Sequence, residues 1–144
     1  METIDFTVHI AAPQQKVWDC LWQDAHYRNW TSVFCEGSYA VSNWQQGSKI
    51  HFLSPGGAGM YGIIESMQEP HKMLFKHIGE IKNGEEQPVT DAQGWQDARE
   101  GYTLTFNNGI TTVVVTINVL ETYAGYFKTT FPAALQKLKE IAEA

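Results

Sequence analysis

The chain has 144 residues, of which 43% are hydrophobic and 18% charged, and its formal net charge is −6. This length can bury a core without disulfides or metals, and the composition excludes a disordered chain. The 10 basic residues form no cluster, so we expect neither nucleic acid nor a membrane as partner. We expect residues 1–144 to form a single domain.

A strand and two short helices open the chain. Apolar and polar residues alternate over residues 4–10, which is typical of a half-buried strand. Pro13 suits the first turn of a helix, and the apolar residues that follow over 13–23 recur at helical spacing. Asp24 would cap a second short helix that ends near Trp30.

A meander of four strands follows, and then a polar segment. Runs of strand-forming residues between turn residues predict strands at about 34–42, 47–53, 58–68 and 71–80. Residues 80–100 hold six acidic and two basic residues together with Pro, Gly and Gln. We interpret this segment as a long polar loop, of the kind that often forms a lid or a binding element.

The chain ends in a hairpin and a long helix. Strands at about 100–107 and 110–120 are joined by Asn107-Asn108-Gly109, a strong hairpin signal. The residues predicted to face inward on the second strand are Val113, Val115, Ile117 and Val119. An apolar stripe over about 123–143 predicts the helix. The pattern is α+β, and a curved seven-stranded antiparallel sheet around this helix would leave room for a ligand.

Several motifs occur in a fixed order along nearly the whole chain. They are Ala12-Pro13 with Val17-Trp18, Tyr27-Arg28-Asn29-Trp30-Thr31, Trp44-Gln45-Gln46-Gly47-Ser48-Lys49-Ile50, Tyr102-Thr103-Leu104, Gly109-Ile110-Thr111-Thr112-Val113 and Phe131-Pro132-x-x-Leu135-x-x-Leu138-Lys139. In this set the chain resembles the START-like superfamily, also called SRPBCC or helix-grip. Within it the chain resembles the branch related to the activator of the 90-kDa heat-shock protein ATPase.

The resemblance implies the helix-grip fold, and it leaves the function open. The superfamily includes lipid and hormone binders, polyketide cyclases, oxygenase domains and co-chaperones, so one fold carries several activities. The function must therefore come from particular residues of the predicted cavity.

His77 is the first candidate for chemistry in the cavity. In the strand around residues 73–79, Met73, Phe75 and His77 share one side, while Lys76 lies on the other. Since lysine prefers water, we place His77 on the concave side, where it could bind a ligand carbonyl or act as a general base. The alternative is a cavity histidine bonded to a neighbouring side chain or to water.

Glu65 is the second candidate, as a general acid or base. It lies on a strand with apolar neighbours, Ile64 and Met67, and a carboxylate facing the cavity would have a raised pKa. The alternative is an outward-facing glutamate in a cross-strand pair, for example with Lys76. A shift of one residue in register decides between the two faces.

Aromatic residues are the predicted lining of the cavity. With His77, the expected ligand-binding residues are Phe52, Phe75, Tyr102, Phe106, Phe127 and Phe131. Their rings suit a flat or apolar ligand, and the Tyr102 hydroxyl could add a polar contact at the wall. The alternative is that these rings meet and simply fill the space under the helix.

Cysteine and histidine spacing indicates no metal site and no cofactor. Cys20 and Cys35 form no C-x-x-C motif and fall in different predicted elements, so we expect two buried, reduced thiols. No histidine pair has metal-ligand spacing. The N-terminus lacks a basic start and an apolar stretch, so a signal peptide is not expected and the cytoplasm is the predicted location.

Three functions remain open from the sequence. The leading one is binding of a small apolar or amphipathic molecule between sheet and helix, without catalysis. The second is an enzyme of the cyclase or hydratase type that uses His77 or Glu65 as acid or base. The third is an interaction module with a chaperone partner, which would use the acidic residues Glu85, Glu86 and Asp91. Either a monomer or a dimer fits the sequence.

Overall fold

The structure is a computed structural model that describes residues 1–89 and 97–144. Its elements in chain order are β1 (Glu2–Ile10), α1 (Gln14–Trp22), α2 (Asp24–Thr31), β2 (Tyr39–Ser42), β3 (Lys49–Leu53), β4 (Gly59–Gln68), β5 (Lys72–Lys82), β6 (Glu85–Glu86), β7 (Arg99–Asn107), β8 (Ile110–Val119) and α3 (Glu121–Glu143). The predicted order of elements is confirmed, with the short β6 added. The class is α+β, and the fold is helix-grip.

One antiparallel sheet contains all the described strands. Its order is β1-β8-β7-β5-β4-β3-β2, and β6 pairs with the end of β5 outside this path. Two register shifts in the β4–β5 pair, next to Tyr61 and next to Ser66, bend this part of the sheet. Along β8 the predicted inward residues Val113, Val115, Ile117 and Val119 are all buried.

Two predicted segments differ from the structure. Residues 34–38 form turns instead of the start of a strand, because Gly37 has a φ of +86° and β2 begins only at Tyr39. The predicted loop at 80–100 is shorter than expected, since β5, β6 and β7 extend into it. Asp91, which falls in that predicted loop, lies outside the described residues.

The helices begin close to the predicted positions. Gln23 is the N-cap of α2, so Asp24 is its first helical residue and the predicted cap is wrong by one position. Asp24 instead pairs with Arg28 one turn later. No helix in the described part of the chain is long and apolar enough to cross a membrane.

Aromatic side chains fill one end of the space between sheet and helices. The ring of Trp22 on α1 lies 5.4 Å from Phe75 and 4.9 Å from Tyr102, centroid to centroid, in edge-on arrangements. The second half of α3 adds the buried Ala134, Leu135, Leu138 and Ala142. Cys20 is buried in this core as predicted, but Cys35 is exposed in the turns after α2, which corrects the expectation of two buried thiols.

Candidate functional site

The other end of the space under α3 is an unfilled cavity of about 680 Å³. Its walls come from α2 and the turns that follow it, from the sheet strands β2, β3, β4, β5, β7 and β8, and from the first half of α3. Most of the wall is apolar, and the main apolar residues are Phe34, Phe52, Met60, Ile117, Phe127 and Phe131. Strand alternation places Phe52 and Met60 opposite each other in the β3–β4 pair, with both side chains turned inward.

A small polar cluster interrupts this apolar wall. The Tyr102 hydroxyl donates a hydrogen bond to one carboxylate oxygen of Glu100, Oε2. The other oxygen, Oε1, lies 3.3 Å from Nε2 of His77. All three side chains line the cavity. An ionised carboxylate only accepts hydrogen bonds, so this contact assigns the proton of a neutral His77 ring to Nε2.

His77 keeps one ring nitrogen without a partner. Its side chain is 8% exposed. Its Nδ1 atom is buried and makes no hydrogen bond to any residue in 1–89 or 97–144. In a neutral ring with the proton on Nε2, Nδ1 carries a free lone pair and is an acceptor, whereas in a protonated ring it is a donor. Buried polar atoms are normally satisfied, so this nitrogen is an exception in the described part of the chain, and its burial keeps it out of reach of a molecule in the cavity.

Two buried tyrosines keep their protons beside Glu100. Burial and the nearby charge of Glu100 raise the pKa of Tyr102 well above its ordinary value, and the hydrogen bond to Glu100 adds to the effect. Burial and the same charge also raise the pKa of Tyr27 on α2. Both hydroxyls therefore remain neutral throughout the physiological range.

The predicted site residues divide into two groups. Five of the seven line the cavity, and these are Phe52, His77, Tyr102, Phe127 and Phe131. Phe75 is fully buried in the aromatic core behind the wall, where its ring packs against Phe52 at 5.1 Å. Phe106 is 50% exposed near the end of β7 and does not line the cavity, so its assignment was wrong.

Glu65 faces away from the cavity. Its two carboxylate oxygens accept hydrogen bonds of 2.9 and 3.0 Å from the Arg99 guanidinium on the outer face of the sheet. These hydrogen bonds hold the pKa of the Glu65 carboxyl below its ordinary value, opposite to the rise expected for a cavity acid. The outward alternative is therefore the observed one, with Arg99 as the partner in place of Lys76.

Replacing Glu65 by glutamine is expected to lower the free energy of unfolding by about 0.5–1 kcal/mol at neutral pH. The folded-state pKa of Glu65 is lowered, so the ion pair contributes fully above the unfolded-state pKa, and its contribution is lost as the pH falls through the folded-state value. Urea unfolding of wild type and Glu65→Gln over a series of falling pH values checks this. The two stabilities should converge in acid.

Glu140→Gln is the matched control for that series, because Glu140 is an exposed glutamate on α3. It should not change the stability measurably at any pH in the series. A deficit of Glu65→Gln that persists unchanged in acid would contradict the assigned role of the ion pair.

The acidic residues proposed for protein interaction are partly engaged within the chain. Glu86 accepts hydrogen bonds from Lys49 at 3.1 Å and from His51 at 2.8 Å, which hold its pKa below the ordinary value. Glu85 lies beside it in β6 and is exposed. In the described ranges, no group of three or more His, Cys, Asp or Glu side chains is arranged to hold a metal ion.

Sequence reasoning missed Glu100, the residue at the centre of the polar cluster. We placed it at the end of the predicted polar loop, where an exposed glutamate is expected and indicates no function. Its spacing from Tyr102 was the available signal, because residues two apart on a strand share a face. Tyr27 and Phe34 were also missed, since their place in the cavity depends on how α2 packs over the sheet.

Comparison with known proteins identifies one matching family. The family model described as "Activator of Hsp90 ATPase homolog 1-like protein" matches residues 11–143. No curated protein sequence matches the chain.

Solved structures resemble this one over nearly the whole chain. The solution structure of the Aha1 dimer from Colwellia psychrerythraea has a TM-score of 0.76 at 20% identity and covers 99% of this chain and 97% of its own. Protein MLL2253 from Mesorhizobium loti has a TM-score of 0.74 at 14% identity, with 97% and 96% covered. CalU16 from Micromonospora echinospora has a TM-score of 0.69 at 15% identity, with 97% and 75% covered. At these identities the likeness establishes the fold alone.

Proposed function

The chain belongs to the Activator of Hsp90 ATPase homolog 1-like family, and from that premise we propose that it binds a small apolar or amphipathic molecule between the sheet and α3. The proposal treats residues 1–144 as one binding domain. The cavity of about 680 Å³ is the observation that carries it. Ligand pockets usually measure about 300–1,000 Å³ and combine mostly apolar walls with a few polar groups.

The cavity is larger than the gaps that packing leaves in an ordinary core. Protein interiors have few voids larger than a water molecule. The ring centroids of Phe127 and Phe131 are 6.3 Å apart and their planes are tilted. The ring of Phe34 meets that of Phe131 edge-on, with 4.9 Å between the centroids. These rings pack against each other along the helix side, and the space in front of them is left to a ligand.

Two measurements test binding without knowing the ligand. Native mass spectrometry with organic extraction of the purified protein should recover a reproducible small molecule. Independently, the neutral probe N-phenyl-1-naphthylamine should bind with a rise in fluorescence. Met60→Trp, which places a larger ring in the cavity, is expected to weaken probe binding at least tenfold.

Ile63→Trp is the matched control on the same strand. Ile63 pairs with Lys49 and Lys76 and lies on the outer face of the sheet, so the added ring stays outside the cavity. Probe affinity should remain within about twofold of wild type. If the probe does not bind, or if Met60→Trp binds it as well as wild type does, the proposal fails.

Acid–base catalysis is a second candidate function, and one observation favours it. His77 lines the cavity with the Glu100 carboxylate beside it, whereas Glu65 takes no part. The extraction distinguishes the two functions when it is repeated with His77→Ala. A binding protein yields the same molecule from both variants, and an enzyme yields a chemically altered one from the variant that cannot turn it over.

The chaperone alternative rests on the family description, and we do not extend the proposal to it. Its residues would be Glu85, Glu86 and Asp91. Glu86 is already held by Lys49 and His51. Asp91 lies outside the described residues.

A further inference from the structure

We infer that the cavity prefers an apolar molecule with a protonated amine head, which the Glu100 carboxylate receives beside His77. This inference rests on the proposed function and specifies the ligand class. Three observations of the wall carry it: the charge of Glu100, the free hydrogen-bond acceptors and the nearby aromatic rings.

The two carboxylates of the described wall are matched in number by two cations, but Glu100 pairs with neither cation. Two carboxylates line the cavity, Glu80 and Glu100. Of the cations there, Lys82 is 67% exposed and lies 3.7 Å from Glu80. Arg99 directs its guanidinium to Glu65 on the outer face. A ligand carboxylate would thus meet a carboxylate at the polar cluster, and like charges repel strongly where water is scarce.

The polar cluster offers acceptors for a ligand. An ionised carboxylate has about four acceptor positions, and Tyr102 and His77 use two of those on Glu100. The Glu100 side chain keeps 23% of its surface exposed, so its remaining positions can be reached. A ligand that donates hydrogen bonds complements this surface, and an ammonium group donates up to three.

Two aromatic residues lie near this polar cluster. Tyr102 is bonded directly to Glu100, and the ring of Phe52 lies 5.5 Å from that of His77. Ring faces attract cations, most strongly where the cation is desolvated. The apolar remainder of the ligand would lie against Phe127 and Phe131, further along the wall. The Glu100 carboxylate, which no lysine or arginine of the described chain pairs with, favours an amine over an alcohol of the same length.

A matched competitor series tests the inference. Decylamine, decanol and decanoate differ only in the head group, and each is titrated at neutral pH against wild-type protein loaded with N-phenyl-1-naphthylamine. Decylamine should displace the probe at a concentration at least tenfold lower than decanol, and decanoate should be the weakest. Equal potency of decylamine and decanoate would overturn the inference.

Glu100→Gln assigns the preference to one residue. The amide keeps the size of the side chain and can still accept from Tyr102, but it carries no charge. We expect decylamine to lose at least tenfold in potency and to approach decanol, while decanol changes less than threefold. Glu65→Gln, on the outer face, should keep the wild-type preference. An amine preference retained in Glu100→Gln would overturn the assignment.

The outcomes separate the two proposals. If the probe does not bind wild type, both the proposed function and this inference fail. If the probe binds and all three competitors act alike, binding stands and the amine preference fails. Thermal unfolding of Glu100→Gln verifies that it folds, and the wild-type series decides the head-group preference even without the variant.

Discussion

Replacing Trp30 by alanine is expected to lower the free energy of unfolding by about 3–5 kcal/mol, the usual loss for a large buried aromatic residue. Trp30 is 1% exposed. Its ring meets Tyr27 edge-on at 5.7 Å and Tyr102 at 6.4 Å. Its Nε1 donates a hydrogen bond of 3.0 Å to the carbonyl of Leu21, which joins α1 to α2. Urea unfolding at neutral pH measures the loss.

Trp30→Phe separates the two contributions to that loss. It keeps most of the apolar volume and removes the indole N–H, leaving the Leu21 carbonyl without this donor. We expect it to cost about 1–2 kcal/mol, the range for one lost hydrogen bond with a small packing defect. If Trp30→Ala cost no more than Trp30→Phe, the ring would not be the packing element described.

Gly62→Ala is the second substitution with a large expected effect. Gly62 pairs with His77 between β4 and β5, and an added Cβ would lie 2.1 Å from the carbonyl oxygen of Lys76. A backbone atom cannot turn aside as a side chain can, so the two strands must separate. We expect a loss of at least about 3 kcal/mol in urea unfolding, together with weaker probe binding because His77 moves.

Gly125→Ala is the control with the opposite sign. Gly125 lies exposed in α3, and nothing lies within 4 Å of an added Cβ. Alanine should raise stability by about 0.5–1 kcal/mol because it favours the helix. A Gly62→Ala protein as stable as wild type would show that the close contact between β4 and β5 is not rigid.

The alternation of apolar and polar residues, together with turn residues, predicted most of the fold. A strand that is buried on one face requires an apolar residue at every second position. The strand β8 is the clearest case, with Val113, Val115 and Val119 all inward as expected. The predicted strand over residues 34–38 was wrong because Phe34 is a typical strand residue. In the structure it lies in a turn and packs against Phe127 and Phe131. Such contacts between distant elements cannot be seen in local patterns.

The orientation of a site residue was predictable where its own strand contained enough information to decide which face it lies on. His77 was placed inward because Lys76 had to face water, and the structure agrees. Phe106 shares a side with Tyr102 by strand alternation, yet it is half exposed and does not line the cavity. The sequence pattern did not identify Arg99 as the partner of Glu65. The ion pair joins β4 to β7, and our predicted strand began at residue 100, one residue after Arg99.

The division of α3 into two halves has a consequence for how such a chain can diverge. Its second half fixes the fold through buried residues such as Leu135 and Leu138, whereas its first half carries Tyr123 and Tyr126 at the cavity with exposed rings. Substitutions of Tyr123 and Tyr126 remove few packed contacts, so they change stability little. Selection can therefore change this part of the cavity wall without first acquiring compensating mutations, while the scaffold persists.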